Sequence, residues 1–461
     1  MARHKSKAGM NRRRFLRNTL AIGGGAAALT HTPFLNHLVH AQARNLDAPD
    51  RYYIFCYFGG GWDVLLSLDP RDPRDFPSTI DSMRSTQIQP GYETLARPDA
   101  DIIRTPEGIS FGPYIGDLAQ HAGRMAVVRG LNMETLSHTG GRRRFLTGKA
   151  PTGTLARGSN ASTWLAGHLG ADDLIPNLSL RVENYNRDLP NYASALRVSA
   201  VPDLLRALEP AQPSLEPLLA RQVDEALKAT SVCPNSLKSI AWQKAEFARK
   251  SANQVVANNL SSAFQFSARN AEMERLRGHY GFTSVGNSPG VSAALAAQAI
   301  TQRISRCVSV NLVGGLDTHA GTQWTQDQGP RQEAGFNAVA RLIEDLAQRP
   351  YDDRSSWLDH TTIIGFSEFS RTPLLNLSGG RDHHLVNSCF LVGGSVRGGQ
   401  VIGASTDVGM LAGNVNLATG LPSPDGEVIR PEHVLRSLYT EVGIGDEPDL
   451  RVSELPTLLR T

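Results

Sequence analysis

The chain has 461 residues, of which 40% are hydrophobic and 20% charged, and its formal charge is +3. That composition is globular, which excludes a wholly disordered chain and a multi-pass membrane protein, and the length exceeds one ordinary core. One large α/β domain with an insertion, or two domains, is expected, and no basic stripe interleaved with aromatics marks a nucleic-acid binder.

The first forty-three residues read as an address. Asn11-Arg12-Arg13-Arg14-Phe15-Leu16-Arg17 resembles the twin-arginine export signal. The apolar stretch Leu20 to Leu29 is too short to span a bilayer, and Ala41-Gln42-Ala43 offers a small-residue cleavage site. The expectation is a signal peptide over residues 1–43, handed to the twin-arginine machinery, and a periplasmic or secreted mature protein with no integral membrane segment. Removing seven basic residues and no acidic one takes the formal charge from +3 to −4.

The mature domain, 44–461, opens with an apolar run, Tyr52 to Phe58, that predicts a strand and closes on Gly59, Gly60, Gly61, Trp62 and Asp63. Three glycines permit a tight turn and close approach to a ligand, but the spacing and the Lys-Ser/Thr ending of a P-loop are missing. Residues 64 to 123, rich in Pro, Asp and Arg, are expected to run over the surface. Met125 to Val128 predicts the next strand. Asn132 to Gly148, reading NMETLSHTGGRRRFLTG, should then enter a helix near Arg142. A nucleophile or oxyanion-binding group there would gain from the unpaired N–H groups of the helix start.

From about 202 to 299 the texture is helical. Ser239 to Arg277 intersperses Trp242, Phe247, Val255, Leu260, Phe264 and Met273 among polar residues, which reads as a helical insertion against the sheet. Val308 to Val313 predicts a strand closing on Gly314, Gly315, Leu316, Asp317, Thr318 and His319, and a helix follows over Ala334 to Gln348. Thr361 to Ile364, bounded by Gly365, suits a strand buried on both faces. Glu368, Arg371, Asp382, His383 and His384 come directly after it. Leu391 to Gly403 reads as a closing hairpin or edge strands, and Pro431 to Val442 as a last helix. The four cysteines, Cys56, Cys233, Cys307 and Cys389, form no CxxC pair, which disfavours thiolate zinc sites. Cys56, Cys307 and Cys389 lie in or beside apolar runs and read as buried free thiols.

Three predicted strands thus deliver a carboxylate at their carboxyl ends, where open α/β sheets bind ligands. Asp63, Asp317, His319, Glu368, Asp382 and His383 supply the oxygens and imidazole nitrogens that one or two divalent cations require, with zinc, calcium, manganese and iron all compatible. Asp317 and His319, two apart, point the same way on an extended chain and suit a shared ion. Two ions about 4 Å apart would clamp the attacking and leaving oxygens of phosphoryl or sulfuryl transfer. Arg142 and Arg371 match an oxyanion with their guanidinium forks, and either also suits an internal salt bridge.

These residues carry a resemblance. The leader, the glycines and aspartate after the first strand, Ser137-His138, the GLDTH segment, SEFSRT and GGRDHH occur in the order of an exported bacterial family, domain of unknown function 1501. That family is similar to the alkaline phosphatase and sulfatase superfamily. The resemblance implies a three-layer α/β sandwich with a mainly parallel sheet, a helical insertion and metals at the strand ends. Asp63 is placed like the superfamily's first metal-binding aspartate. Glu368 and Phe369 stand where the sulfatase strand has aspartate and histidine. Arg142 and Leu146-Thr147-Gly148 fit the sulfatase signature spacing with His138 at the nucleophile position, flanked by Ser137 and Thr139.

Ser137 or His138 is therefore the candidate initiator of attack, or metal-activated water with His138 as general base. The expected function is an exported metal-dependent hydrolase of phosphate or sulfate esters, small or polysaccharide. A non-catalytic periplasmic binding or assembly protein on a degenerate version of the fold is the alternative.

Overall fold

A computed structural model describes residues 50–460 apart from 98, 151, 154, 210–215, 231–253 and 255–257. The export signal over 1–43, Cys233 and the start of the helix expected from Ser239 lie outside these residues.

The described residues build an eight-stranded sheet. Its strands are β1 (Tyr52–Phe58), β2 (Met125–Asn132), β3 (Asn177–Leu180), β4 (Leu196–Val198), β5 (Cys307–Val313), β6 (Thr361–Phe366), β7 (Val386–Gly393) and β8 (Gln400–Ile402). Their spatial order is β8-β2-β7-β6-β1-β5-β3-β4. Every neighbouring pair is parallel except those made by β7, which runs against both β2 and β6.

Why β1 lies near the centre follows from its sequence. All seven residues are buried, as a strand covered on both faces requires. Its side chains alternate between two cores. Tyr52, Ile54, Cys56 and Phe58 pack on one face with α3 (Pro289–Thr301) and α4 (Gly329–Gln348). Tyr53, Phe55 and Tyr57 face the other, with α1 (His138–Thr147), α2 (Ala161–Leu169) and α5 (Pro431–Glu441). Ile54 sits level with Val308 and Ile363, so cutting it to Ala would open a cavity at the sheet's middle and cost about 2–5 kcal/mol.

Several expectations change. Residues 64–123 do not simply run over the surface, because Leu65, Leu68, Ile88, Phe111, Ile115 and Leu118 enter the first core. Around 202–299, α3 is buried from Gly290 to Ile300 and is a layer of the sandwich itself. The described part of Ser239–Arg277 is interrupted, with a short 3₁₀ turn at Leu260–Phe264 before a helix at Ala271–Tyr280 that is capped by Asn270. Of the expected closing strands, β7 is interior and antiparallel, and β8 lies on one edge of the sheet, with β4 on the other. Cys56, Cys307 and Cys389 are buried and free.

The chain divides into two units, 46–211 with 254–461, which contains the sheet, and 1–45 with 212–253. In the second unit the helix Pro217–Thr230 is described, with Leu218, Leu219 and Val223 exposed. Among the described residues no helix is long and apolar enough to cross a membrane.

Candidate functional site

Parallel pairing of β6, β1 and β5 brings their carboxyl ends side by side. Beyond those ends lie Gly59–Gly61, Gly314–His319 and Ser367–Arg371. A short antiparallel pairing of His383–His384 with Ser370–Arg371, closed by the loop between them, folds Asp382 and His383 back over the same place. Two glycines allow the close approach. Gly60 has φ +114°, and a Cβ there would lie 2.5 Å from the backbone nitrogen of Leu316. Gly141 lets α1 rest on the Glu368 backbone, since a Cβ would meet the Glu368 carbonyl oxygen at 2.0 Å. That contact sets His138, the first residue of α1, beside the Glu368 carboxylate.

Asp317 is the hub. Its Oδ1 accepts from Arg371 Nη2 at 2.7 Å and lies 2.9 Å from His319 Nε2 and 3.0 Å from His383 Nε2. Its Oδ2 is 3.3 Å from His138 Nε2. One ligand atom each from His138, Asp317 and His383 falls within 4.8 Å of the others. The two nitrogens His319 Nε2 and His383 Nε2 face each other at 3.2 Å.

The far side of each ring decides where its proton sits. His138 Nδ1 meets Glu368 Oε1 at 2.8 Å, His319 Nδ1 meets Asp382 Oδ1 at 2.7 Å, and His383 Nδ1 meets the Leu136 carbonyl oxygen at 2.8 Å. Carboxylates and carbonyls only accept, so each Nδ1 carries a hydrogen. A neutral ring then presents a bare Nε2 lone pair, and all three Nε2 atoms converge on the Asp317 carboxylate. Anchoring of one ring nitrogen on a carboxylate or carbonyl is how metal-binding histidines are oriented.

Charge points the same way. Asp317, Glu368 and Asp382 oppose one guanidinium, that of Arg371, so the cluster is short of two positive charges. Burial works against Asp317, yet the hydrogen bond and charge of Arg371 hold its carboxyl well below the usual range. Glu368 is only 1% exposed, and burial raises its pKa. Hydrogen bonds from His138, Tyr57 and the Gly60 N–H more than offset that, at 2.8, 2.9 and 2.9 Å. Asp382 is lowered by its bond to His319. The bond to Glu368 outweighs burial and raises the His138 pKa, so the cluster attracts even a proton.

Not every residue singled out by sequence joins this cluster. Asp63 is 0% exposed and lies apart, 3.1 Å from Arg381 Nε, with Oδ2 accepting from Trp324 Nε1 at 2.7 Å and Oδ1 from the Leu65 N–H at 3.0 Å. Arg142 binds Glu183 through Nε at 2.7 Å. Arg371 is buried and donates to the carbonyls of Gly60, Gly61 and Arg381 besides Asp317, bracing the glycine loop. Ser137 caps α1, its Oγ accepting from the Gly140 N–H at 3.3 Å. His384 turns away to the Gly409 carbonyl.

Sequence reasoning missed Tyr57, Asn376 and the Leu136 carbonyl. Asn376 Nδ2 donates to the His319 carbonyl at 2.9 Å and to Asp382 Oδ1 at 3.1 Å, tying ring and carboxylate together. Only its place in the loop between SEFSRT and DHH hinted at this.

A family profile described as "Protein of unknown function (DUF1501)" matches residues 51–417. The chain belongs to this family. The match spans the three strand ends and the hairpin that form the cluster, so the site lies within the family's own domain. No protein of curated function matches it in sequence. Among solved structures, "Crystal structure of Ps i-CgsB in complex with k-i-k-neocarrahexaose" is similar at 10% identity, covering 88% of this chain and 75% of that one. Its TM-score of 0.37 is too low to carry an argument.

Proposed function

We propose that the cluster holds one divalent cation and that the protein is a metal-dependent hydrolase of phosphate or sulfate esters, acting outside the cytoplasm after twin-arginine export. The observation that carries this reading is the aim of three Nδ1-anchored imidazoles at one carboxylate. His138, His383, His319 and Asp317 would hold the ion. Glu368, Asp382 and the Leu136 carbonyl would orient the rings. Nitrogen-rich donors favour zinc or a neighbouring transition metal over calcium, which takes oxygens. When bound, such an ion supplies Lewis-acid stabilisation of an ester's oxyanion.

The protein's own groups do the rest. Arg371 and Asp317 fix the floor of the site, and Glu368 keeps the His138 proton on Nδ1. Ser137 stands exposed beside His138, its hydroxyl hydrogen not engaged by the cap bond. The mainly parallel sheet, covered by helices on both faces with the cluster at the strand ends, supports kinship with the alkaline-phosphatase and sulfatase sandwich.

The test is a hydrolysis panel of 4-nitrophenyl phosphate, bis(4-nitrophenyl) phosphate and 4-nitrophenyl sulfate. Turnover should vanish with chelator, return with zinc and be lost in Asp317→Ala. A zinc-loaded protein that turns over none of them would leave the non-catalytic binding protein as the reading.

A further inference from the structure

Phe369 is 0% exposed, yet it belongs to none of the apolar clusters that fill the described part of the molecule. Its neighbours are the groups of the site. The ring centroid lies 4.1 Å from that of His383, at 30° between planes, and 4.8 Å from that of His138, at 51°. Those two imidazoles are themselves 4.7 Å apart and nearly perpendicular, at 80°, so the three rings form a closed triangle. The glycine loop and Arg371 hold the phenyl in place. A Cβ on Gly61, where φ is +85°, would lie 2.4 Å from Phe369 Cε2, and the Arg371 guanidinium carbon is 5.7 Å from the ring centroid.

The bonds to Glu368 and to the Leu136 carbonyl fix one edge of each imidazole, at Nδ1. An edge bond leaves the ring free to tilt about that point, and tilting swings the Nε2 lone pair, which lies in the ring plane. Contact with a rigid neighbouring ring removes this freedom. Resting on the cation site proposed above, we infer that Phe369 is a positioning residue that sets the planes of His138 and His383 and thereby makes the site selective for zinc over manganese. Zinc takes few donors at short distance, about 2.0–2.1 Å for nitrogen, so it depends on both lone pairs being aimed. Manganese suits carboxylate and water oxygens and draws less on the imidazoles. Adjacent residues share the task, Glu368 gripping the edge of His138 and Phe369 bearing on its ring.

Competition titration against a chromogenic chelator, run with zinc and with manganese on the native protein, Phe369→Leu and Phe369→Met, tests this. Both substitutions keep a buried apolar side chain and remove the flat rigid ring, and the Met variant covers the case in which the Leu variant does not fold. Zinc should weaken about 10- to 100-fold and manganese by less, so the zinc-to-manganese preference narrows. The visible bands of the cobalt(II)-loaded protein should shift and lose intensity alongside, as the coordination geometry relaxes. Phe336→Leu removes a buried ring that packs on Phe58 at 4.8 Å in the first core, and as the packing control it should leave the preference at its native value. An unchanged preference in the Phe369 variants, or an equal narrowing in Phe336→Leu, would overturn the proposal while leaving the cation site standing. A native protein that binds neither ion would overturn the cation site and the role of Phe369 together.

Discussion

Asp63 and Asp317 follow neighbouring parallel strands at the same sheet edge, each after a glycine turn, yet they end in opposite environments. Asp63 is sealed: it accepts from Trp324 Nε1 and the Leu65 N–H and is ion-paired with the buried Arg381 guanidinium, so its charge is answered from within the protein. Asp317 keeps 44% of its side chain exposed, and beside one arginine it meets three imidazole nitrogens whose protons sit on the far side of the ring. A carboxylate answered by N–H groups alone suits a structural role, and the one that also meets lone pairs is where we propose the cation. What separates the two is the proton inventory around them, more than burial.

The largest effect should come from breaking the sealed pair. Asp63→Ala leaves Arg381 buried without its carboxylate and should cost about 3–5 kcal/mol in urea unfolding, while the folded fraction keeps its metal. Next comes the ion itself. Zinc at a hundred times its Kd should add about 2.7 kcal/mol to the wild type and nothing to Asp317→Ala, read by the same unfolding curves with and without metal. Gly141→Ala forces α1 off the Glu368 carbonyl, so it should lose about 1–3 kcal/mol and most of its zinc by equilibrium dialysis.

Smaller still is Tyr57→Phe, which removes one hydrogen bond to Glu368. It should cost about 1 kcal/mol and weaken zinc roughly 10- to 100-fold in competition with a chromogenic chelator. The smallest change sharpens the contrast with Asp63. Metal-free Asp317→Ala should lose no more than about 1 kcal/mol, because buried Arg371 keeps its bonds to the carbonyls of Gly60, Gly61 and Arg381.

Legibility followed the range of the interactions. β1, β5 and β6 were readable because a strand buried on both faces is largely apolar, which is a local signal. The residues of the cluster were readable as a set, since GLDTH, SEFSRT and GGRDHH concentrate donors beyond strand ends. Their roles were not. Asp63 and Asp317 look alike in sequence, and what separates them is Arg381, far along the chain and folded back by a hairpin. Tyr57 reads as one more aromatic in an apolar strand, although its hydroxyl reaches Glu368. Residues 64–123 hid their core contributions because single apolar residues are spaced among Pro, Asp and Arg, which erases any periodicity.

The central claim is that the open aspartate and its three imidazoles form a cation site and the sealed aspartate does not. Elemental analysis of the protein, purified without chelator, tests it most directly when the native chain is compared with Asp317→Ala, His383→Ala and Asp63→Asn. The account predicts about one transition-metal ion per chain in the native protein and in Asp63→Asn, and none in the other two. A native protein that stays metal-free after dialysis against zinc, manganese and iron, or one that loses its metal on changing Asp63 alone while remaining folded, would contradict it.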